Sequence, residues 1–181
     1  MPKPWRSLAS ESLLDVAPWL ELRRESWQLP DGRRIDDFYE LRLPAYAVIV
    51  ALTPDGLVIG ERHFRPGARQ VTLVLPSGYV DANEDPLQAA RRELREETGY
   101  EASSWSPLGT FIVDGNRGCG RAHLFLAQRA ARVTEPDGKD LAQVEIELLT
   151  LDDFMRAIDE GGSVELATAA AIGLAAQRLH R

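Results

Sequence analysis

Cysteine and long hydrophobic runs are scarce in this sequence. Cys119 is the single cysteine among 181 residues, which excludes an internal disulfide framework and is typical of a reducing compartment. No apolar run approaches membrane-spanning length, and the first residues contain no apolar core of the signal-peptide type. These absences predict a soluble cytoplasmic protein that has no membrane partner.

Positive charge is also in short supply. Lysine and arginine number 21 against 28 acidic residues, which leaves a formal net charge of −7. An acidic chain repels nucleic acids and anionic membrane surfaces, so neither is expected as a partner. A phosphorylated small molecule stays compatible with this charge, because bound metal ions can supply positive charge locally.

One segment, Gly78 to Tyr100, combines glycine, arginine and glutamate at fixed intervals. Its spacing is G-x5-E-x7-R-E-U-x-E-E-x-G-U, where U is aliphatic, and Leu94 fills the first aliphatic position. The fixed positions are Gly78, Glu84, Arg92, Glu93, Glu96, Glu97 and Gly99. Tyr100 stands where the pattern asks for an aliphatic residue. The segment resembles the Nudix box, whose family cleaves nucleoside diphosphates linked to another moiety.

The same segment predicts a helix from its own residues. Asp85 and Pro86 form a start signal, with aspartate as the N-cap and proline at the first helical position. The helix continues to about Thr98, and Gly99 is a natural stop. An apolar stripe at helical spacing consists of Leu87, Ala90 and Leu94.

Three carboxylates cluster beside that stripe, from Glu93, Glu96 and Glu97. Their mutual repulsion costs stability, and a hard cation that prefers oxygen ligands removes this cost. We therefore expect Mg²⁺, with Mn²⁺ as the second choice. The alternative is a solvated helix face, in which the acids pair with Arg91, Arg92 and Arg95.

Residues 1–43 form a separate N-terminal β module in this interpretation. Trp19–Leu29 alternates in part as a strand does, Pro30-Asp31-Gly32 is a turn, and Ile35–Leu41 is a return strand. The module is therefore a β-hairpin or a small sheet.

Residues 44–181 form the main domain. The predicted strands are 45–52, 57–60, 72–75, 107–113, 122–127 and 144–149, and Leu75 to Gly78 ends a strand in a loop. The helix in the box is followed by two further helices, 152–160 before Gly161-Gly162 and 166–179. Strands on both sides of a central helix predict an α+β fold. The resemblance implies the Nudix α/β/α sandwich with a mixed central sheet.

Residues outside the box resemble one branch of that family. Arg62–Gly67 (RHFRPG) and Leu75–Asp81 (LPSGYVD) are similar to the ADP-ribose and ADP-sugar pyrophosphatases. The resemblance implies cleavage of ADP-ribose into AMP and ribose 5-phosphate. It also implies a homodimer formed through the N-terminal module.

The resemblance assigns roles to individual residues. Glu93 and Glu97 are the principal metal ligands, Glu96 assists, and the carbonyl of Ser77 beside Gly78 adds a ligand. Glu84 and Arg92 orient these carboxylates through hydrogen bonds. Arg65 contacts phosphate or the terminal sugar, or is an ordinary surface arginine.

The general base of this branch is an acid in a loop after the later strands. The acids in that region are Glu135, Asp137, Asp140, Glu145 and Glu147. Glu145 is the first choice because it stands where loop becomes strand, and its alternative is a solvated strand residue. Otherwise Glu93 or a metal-bound hydroxide serves as the base.

Two further substrate contacts are predicted. The segment Asp114–Gly120 replaces the proline-containing loop of the branch; it is either an anion-binding nest with Arg117 on phosphate or a tight hairpin turn. Trp27 stacks on a base or packs in a core or dimer interface.

Two other functions stay open. The chain could cleave another nucleotide, such as a dinucleoside polyphosphate, NADH or an oxidised nucleotide. It could also be a non-catalytic nucleotide-binding module of the same fold.

Overall fold

The computed structural model describes residues 1–137, 144–161 and 164–180. The elements in chain order are β1 Arg6–Val16, β2 Leu20–Gln28, β3 Arg34–Arg42, β4 Tyr46–Leu52, β5 Val58–Arg65, β6 Gln70–Val74, β7 Ser77–Tyr79, α1 Pro86–Thr98, β8 Tyr100–Asp114, β9 Gly118–Arg132, β10 Glu145–Leu149, α2 Leu151–Asp159 and α3 Leu166–Leu179. None of the described helices is long and apolar enough to cross a membrane. The chain divides into two compact units.

The first unit contains Met1–Ala45 together with Phe111–Arg121, the turn between β8 and β9 with its flanking strand ends. Strand β1 runs antiparallel to β2, and β2 runs antiparallel to β3. Leu41 of β3 pairs with Gly118, and the Leu41 N–H donates to the Arg117 carbonyl at 2.8 Å. The predicted return strand is therefore the third of three antiparallel strands, and β1 is a strand that the sequence analysis did not predict.

The second unit, Tyr46–Thr110 and the chain from Ala122 onward, is built around β4. Alternate residues of β4 enter two different core clusters. Val48, Val50 and Leu52 pack with Phe154 of α2 and with α3, whereas Ala47, Ile49 and Ala51 pack with α1. Burial on both faces explains why this strand reads as a continuous apolar run. The predicted sandwich of a sheet between helices is confirmed.

The sheet of the second unit is mixed, as expected. β4 pairs in parallel with β9 from Tyr46–Ala122 to Leu52–Gln128, and it pairs antiparallel with β7. β5 pairs antiparallel with β6 on one side and with β10 on the other. Because β7 is held by β4, the chain reaches the start of α1 from a fixed strand.

Several element boundaries differ from the prediction, and strands β5 and β9 extend beyond their predicted ranges, to Arg65 and Arg132. Ser77–Tyr79 is a short strand, not a loop, because the edge of β4 pairs with it from Tyr46 to Val48. Strand β8 begins at Tyr100, directly after α1, and not at Pro107, because pairing with β9 extends it through a polar stretch of weak strand propensity. Helix α2 ends at Asp159 with Gly161 just beyond it, and Gly162 lies outside the described residues.

Buried polar residues on β5 and β6 were also not anticipated. Glu61 is 1% exposed and His63 is 8% exposed, while Thr72 lies opposite His63 in the register and is 3% exposed. Ile59, Glu61 and His63 are spaced by two residues along β5, so they share one face of the strand. Because Ile59 is buried, this spacing indicates that Glu61 and His63 are buried as well.

Candidate active site

Helix α1 carries the acidic residues and begins and ends where the sequence predicts. The Asp85 carboxylate accepts hydrogen bonds from the N–H groups of Leu87 and Gln88, at 3.0 and 3.3 Å. Gly99 terminates the helix in a left-handed conformation, with φ of 76°. Ala90 and Leu94 are fully buried against the sheet, so the acids on the neighbouring face keep one orientation.

Two of the acids converge on the backbone of β7. The Ser77 N–H donates to Glu97 Oε2 at 2.8 Å. A Cβ at Gly78 would lie 2.0 Å from Glu93 Cδ, so the absent side chain at Gly78 is the space that the Glu93 carboxylate occupies. Glu93 and Glu97 therefore meet at the two consecutive residues Ser77 and Gly78.

Arg92 organises the rest of the acidic face by using all five of its N–H donors. Nε donates to Glu84 Oε1 at 3.1 Å, and Nη1 donates to Glu93 at 2.6 Å and Glu96 at 3.3 Å. Nη2 donates to the Tyr79 carbonyl at 3.0 Å and to Glu84 Oε2 at 3.1 Å. The repulsion among the carboxylates is thus already reduced by Arg92, as the alternative of paired acids anticipated for this arginine.

Charge pairing at Arg92 shifts two ionisation equilibria. The Arg92 guanidinium, and next the Asp81 N–H, hold the pKa of Glu84 below its ordinary value. Glu84 and then Glu93 raise the pKa of Arg92 above its ordinary value, although partial burial acts in the opposite direction. Glu84 and Arg92 are therefore a permanently charged pair at neutral pH.

The donor set fits a hard divalent cation. Within the described parts of the chain, no three carboxylate, imidazole or thiolate groups stand together as metal ligands, and Arg92 holds Glu93 and Glu96 instead. Even so, the Glu93 and Glu97 carboxylates both lie against the Ser77–Gly78 backbone, which brings their oxygens to one place. Such oxygens are the ligands that Mg²⁺ and similar ions prefer.

The arginines of α1 do not act alike. Arg92 pairs with the acids of the box, as the alternative of a paired helix face required. Arg91 lies over the ring of Trp105, and Arg95 contacts Glu101.

The structure describes four of the five candidates for the general base, and their surroundings differ. The Asp137 N–H donates to the carbonyl of Glu96 at 3.0 Å, which brings this acid to the box helix. Glu135 pairs with Arg132, Glu147 pairs with Arg62, and Glu145 lies opposite Arg62 in the register of β10 and β5. Asp140 lies outside the described residues. Sequence spacing had no signal for Asp137, because its position depends on how the loop returns to α1.

Arg65 stands at the end of β5. Its Nε lies 2.8 Å from Glu165 Oε1, an ion pair without the alignment of a hydrogen bond. The Arg65 side chain is 31% exposed, so part of its guanidinium is accessible to a ligand.

The segment Asp114–Gly120 of the first unit is a tight hairpin turn. The Asp114 carboxylate accepts hydrogen bonds from the N–H groups of Asn116 and Arg117, both at 2.7 Å. These bonds, that from Arg117 first, lower the pKa of Asp114. Both N–H groups are thus satisfied within the turn, which favours the alternative of a tight hairpin turn over an anion-binding nest at these two residues. The Arg117 side chain remains a predicted substrate contact.

Trp27, also in the first unit, lies on β2 beside a cavity of about 500 Å³. The lining residues include Trp5, Phe38 and Gly118. The Trp27 Nε1 atom is buried and has no hydrogen-bond partner among the described residues. Its ring therefore offers a ligand an apolar face and an N–H group that can donate a hydrogen bond.

Comparison with known proteins gives one family. The family model of the NUDIX domain matches residues 42–167. The chain is 27% identical to an ADP-ribose pyrophosphatase of Bacillus subtilis (strain 168) over 154 residues, which is 84% of this chain and 83% of the relative. It is 31% identical to a CMP-5'-(N-acetyl-N-hydroxy-3-aminopropyl)phosphonate hydrolase of Streptomyces rubellomurinus over 82% of this chain and 70% of the relative.

A solved structure supports the fold in addition. A crystal structure described as an ADP compounds hydrolase superposes with a TM-score of 0.87 and covers 99% of this chain and 96% of its own. The two sequences are 19% identical, so this likeness concerns the fold.

Proposed function

The chain belongs to the Nudix family, and from this premise we propose that it is a metal-dependent pyrophosphohydrolase of ADP-ribose or an ADP-sugar. The products are AMP and the sugar phosphate. Support for the substrate comes from the relatives, among which ADP-ribose pyrophosphatases and an ADP-sugar pyrophosphatase occur. The metal proposed is Mg²⁺, with Mn²⁺ as an alternative, because the surrounding donors are oxygens.

The convergence of Glu93 and Glu97 on Ser77 and Gly78 carries this proposal. Ser77 offers a carbonyl, and both carboxylates are fixed by α1 and β7. We assign Glu93, Glu97 and the Ser77 carbonyl as the metal ligands and Glu96 as an assisting ligand. A divalent cation bound there would supply positive charge to the diphosphate and lower the pKa of the attacking water.

Other residues position these groups and move the proton. Arg92 and Glu84 hold Glu93 and Glu96 in place through the hydrogen bonds described above. Asp137 is our preferred proton acceptor, because its backbone is bound to Glu96, and Glu145 is the second choice. The water oxygen forms a bond to phosphorus, its proton passes to the carboxylate, and the bond from that phosphorus to the bridging oxygen breaks.

Substrate contacts and assembly complete the proposal. We assign Arg65 to phosphate or the terminal sugar, Arg117 to phosphate and Trp27 to the base. The first unit would serve as a dimerisation module, since it exposes several large apolar side chains. With its single cysteine, the protein is suited to a cytoplasmic location.

Glu97→Gln tests the proposal. The glutamine oxygen can still accept from the Ser77 N–H, so the fold should persist while the charge on the metal ligand is lost. AMP formation from ADP-ribose with Mg²⁺ should fall about a hundredfold or more, because stabilisation by a metal is worth several kcal/mol. Glu160→Gln, an exposed glutamate at the end of α2, should retain wild-type turnover.

One result would contradict the proposed hydrolase activity. If the wild-type protein turned over neither ADP-ribose nor a wider nucleotide panel with either metal, the non-catalytic binding module would be correct. In the same assay, a larger loss of kcat in Glu145→Gln than in Asp137→Asn would reverse our order of the two bases.

A further inference from the structure

A further concave site lies along α1, and its lining does not include the glutamates that we assign to the metal. It is a cavity of about 520 Å³ between the outer face of α1 and the first residues of β8. The residues that matter here are Gln88, Arg91, Arg92, Arg95, Glu101 and Trp105. All of them belong to the second unit. Three arginines at one cavity are notable in a chain whose net charge is −7.

Two of these arginines can bind an anion. Arg92 is not one of them, because its five N–H donors are taken by Glu84, Glu93, Glu96 and the Tyr79 carbonyl. Among the described residues, Arg95 has a loose ion pair with Glu101 at 3.4 Å, and both side chains are more than half exposed. Exposed pairs of this kind are weak, so Arg95 can exchange this partner for a ligand.

Arg91 and Trp105 line one wall of the cavity, and Trp105 supplies its aromatic ring. The Arg91 guanidinium lies 5.8 Å from the centre of the Trp105 ring, near the outer limit of a cation–π contact. The Trp105 Nε1 donates to the Ala102 carbonyl at 3.0 Å, which fixes the ring orientation. Arg91 thus covers a ring of fixed orientation, and at this distance the guanidinium is held weakly enough for a planar base to displace it.

We propose that this cavity binds a mononucleotide, with the base against Trp105 and the phosphate between Arg91 and Arg95. Guanidinium groups bind phosphate oxygens in bidentate fashion, and an aromatic ring stacks on any base. The volume falls in the range of small-molecule pockets, about 300–1,000 Å³, and the acidic surface disfavours a longer nucleic acid. The proposal goes beyond the hydrolase activity and does not depend on it, since none of these three residues holds the metal.

The test uses the indole signals of ¹⁵N-labelled protein titrated with AMP in the presence of EDTA. Four tryptophans give four signals, and Trp105→Phe identifies the signal of Trp105. We expect a saturable shift of that signal. EDTA removes catalysis and metal-dependent binding, so a failed hydrolase assay and a failed titration are separate results.

Variants test whether Arg91 and Arg95 contribute to the binding of AMP that shifts the Trp105 signal. Replacing both Arg91 and Arg95 with alanine should weaken AMP binding about tenfold or more, because hydrogen bonds to a charged group are lost. Arg178→Ala, an exposed arginine on α3, is the matched control and should bind AMP as the wild type does. An unshifted Trp105 signal, or equal affinity in the double variant, would overturn the proposal. So would inorganic phosphate binding as tightly as AMP, because the base would then contribute nothing.

Discussion

At the scale of single residues, Arg92 determines how the acidic face of α1 is arranged. Its guanidinium touches Glu84, Glu93 and Glu96, and these contacts replace the unscreened repulsion that three neighbouring carboxylates would have. The Arg92 side chain is 31% exposed, so solvent screens part of each attraction. The network therefore sets orientation more than it sets stability.

Gly78 is the residue at which a single methyl group should matter most. In Gly78→Ala, the new Cβ would occupy the place of the Glu93 carboxylate, 2.0 Å from its Cδ. Because the clash is with the end of a flexible side chain, Glu93 should turn away and the fold should survive. We expect kcat for AMP release to fall at least about tenfold, a loss of about 1.4 kcal/mol of transition-state stabilisation.

Gly173→Ala is the control for that substitution. A Cβ at Gly173 meets nothing within 4 Å, and the residue lies inside α3. Alanine there should raise the melting temperature slightly and leave activity unchanged, since the unfolded chain loses freedom. Wild-type kcat in Gly78→Ala would contradict the assignment of Glu93 to the metal.

Among the secondary-structure elements, α1 and the segment after β9 are joined by backbone hydrogen bonds. The N–H groups of Val133 and Thr134 donate to the Gly99 carbonyl at 2.9 and 3.2 Å. The Asp137 N–H then reaches Glu96 in the last turn of the helix. The end of the box helix thus anchors the segment that carries our preferred proton acceptor.

Gly99→Ala should disrupt this anchoring. The residue has φ of 76°, and a Cβ would stand 2.1 Å from the Thr134 carbonyl oxygen, which is backbone and cannot move cheaply. Gly161→Ala shares the positive φ, 66°, but its Cβ meets no atom of the described residues within 4 Å. In urea unfolding we expect Gly161→Ala to lower the free energy of unfolding by about 1 kcal/mol. Gly99→Ala should lower it by clearly more. Equal losses would mean that the packing of Thr134 on Gly99 contributes nothing.

At the scale of the whole molecule, exposed apolar side chains concentrate in the first unit. Leu14, Val16, Trp19 and Ile112 are between 45% and 61% exposed. Large exposed apolar side chains gathered in one unit are a candidate interaction surface. A second copy of the chain is the occupant that we propose.

Sedimentation equilibrium tests this assembly. We expect the wild-type protein to have twice the 20.1 kDa mass of one chain, and Trp19→Glu to shift it toward the monomer because a charge in an apolar interface is costly. Leu166→Glu, which alters an exposed leucine at the start of α3, should remain dimeric. A monomeric wild-type protein at micromolar concentration would contradict the dimer.

Much of this molecule follows from local sequence. The bounds of α1 and α3, the cap at Asp85, the buried strand β4 and the Nudix box could all be predicted. Helix caps, left-handed glycines and apolar periodicity act over a few residues, so their outcome is written in adjacent positions.

Tertiary structure decided the rest, since those features depend on partners far away in the chain. β7 exists because β4 pairs with it, and Asp137 reaches Glu96 only because the chain returns to the end of α1. The cavity beside Trp105 likewise needs α1 and β8 to diverge from Gly99. The family, the box helix and its set of acids are encoded in neighbouring residues of the sequence. Which acid meets which backbone group depended on packing, because contacts between distant segments have no fixed spacing in the sequence.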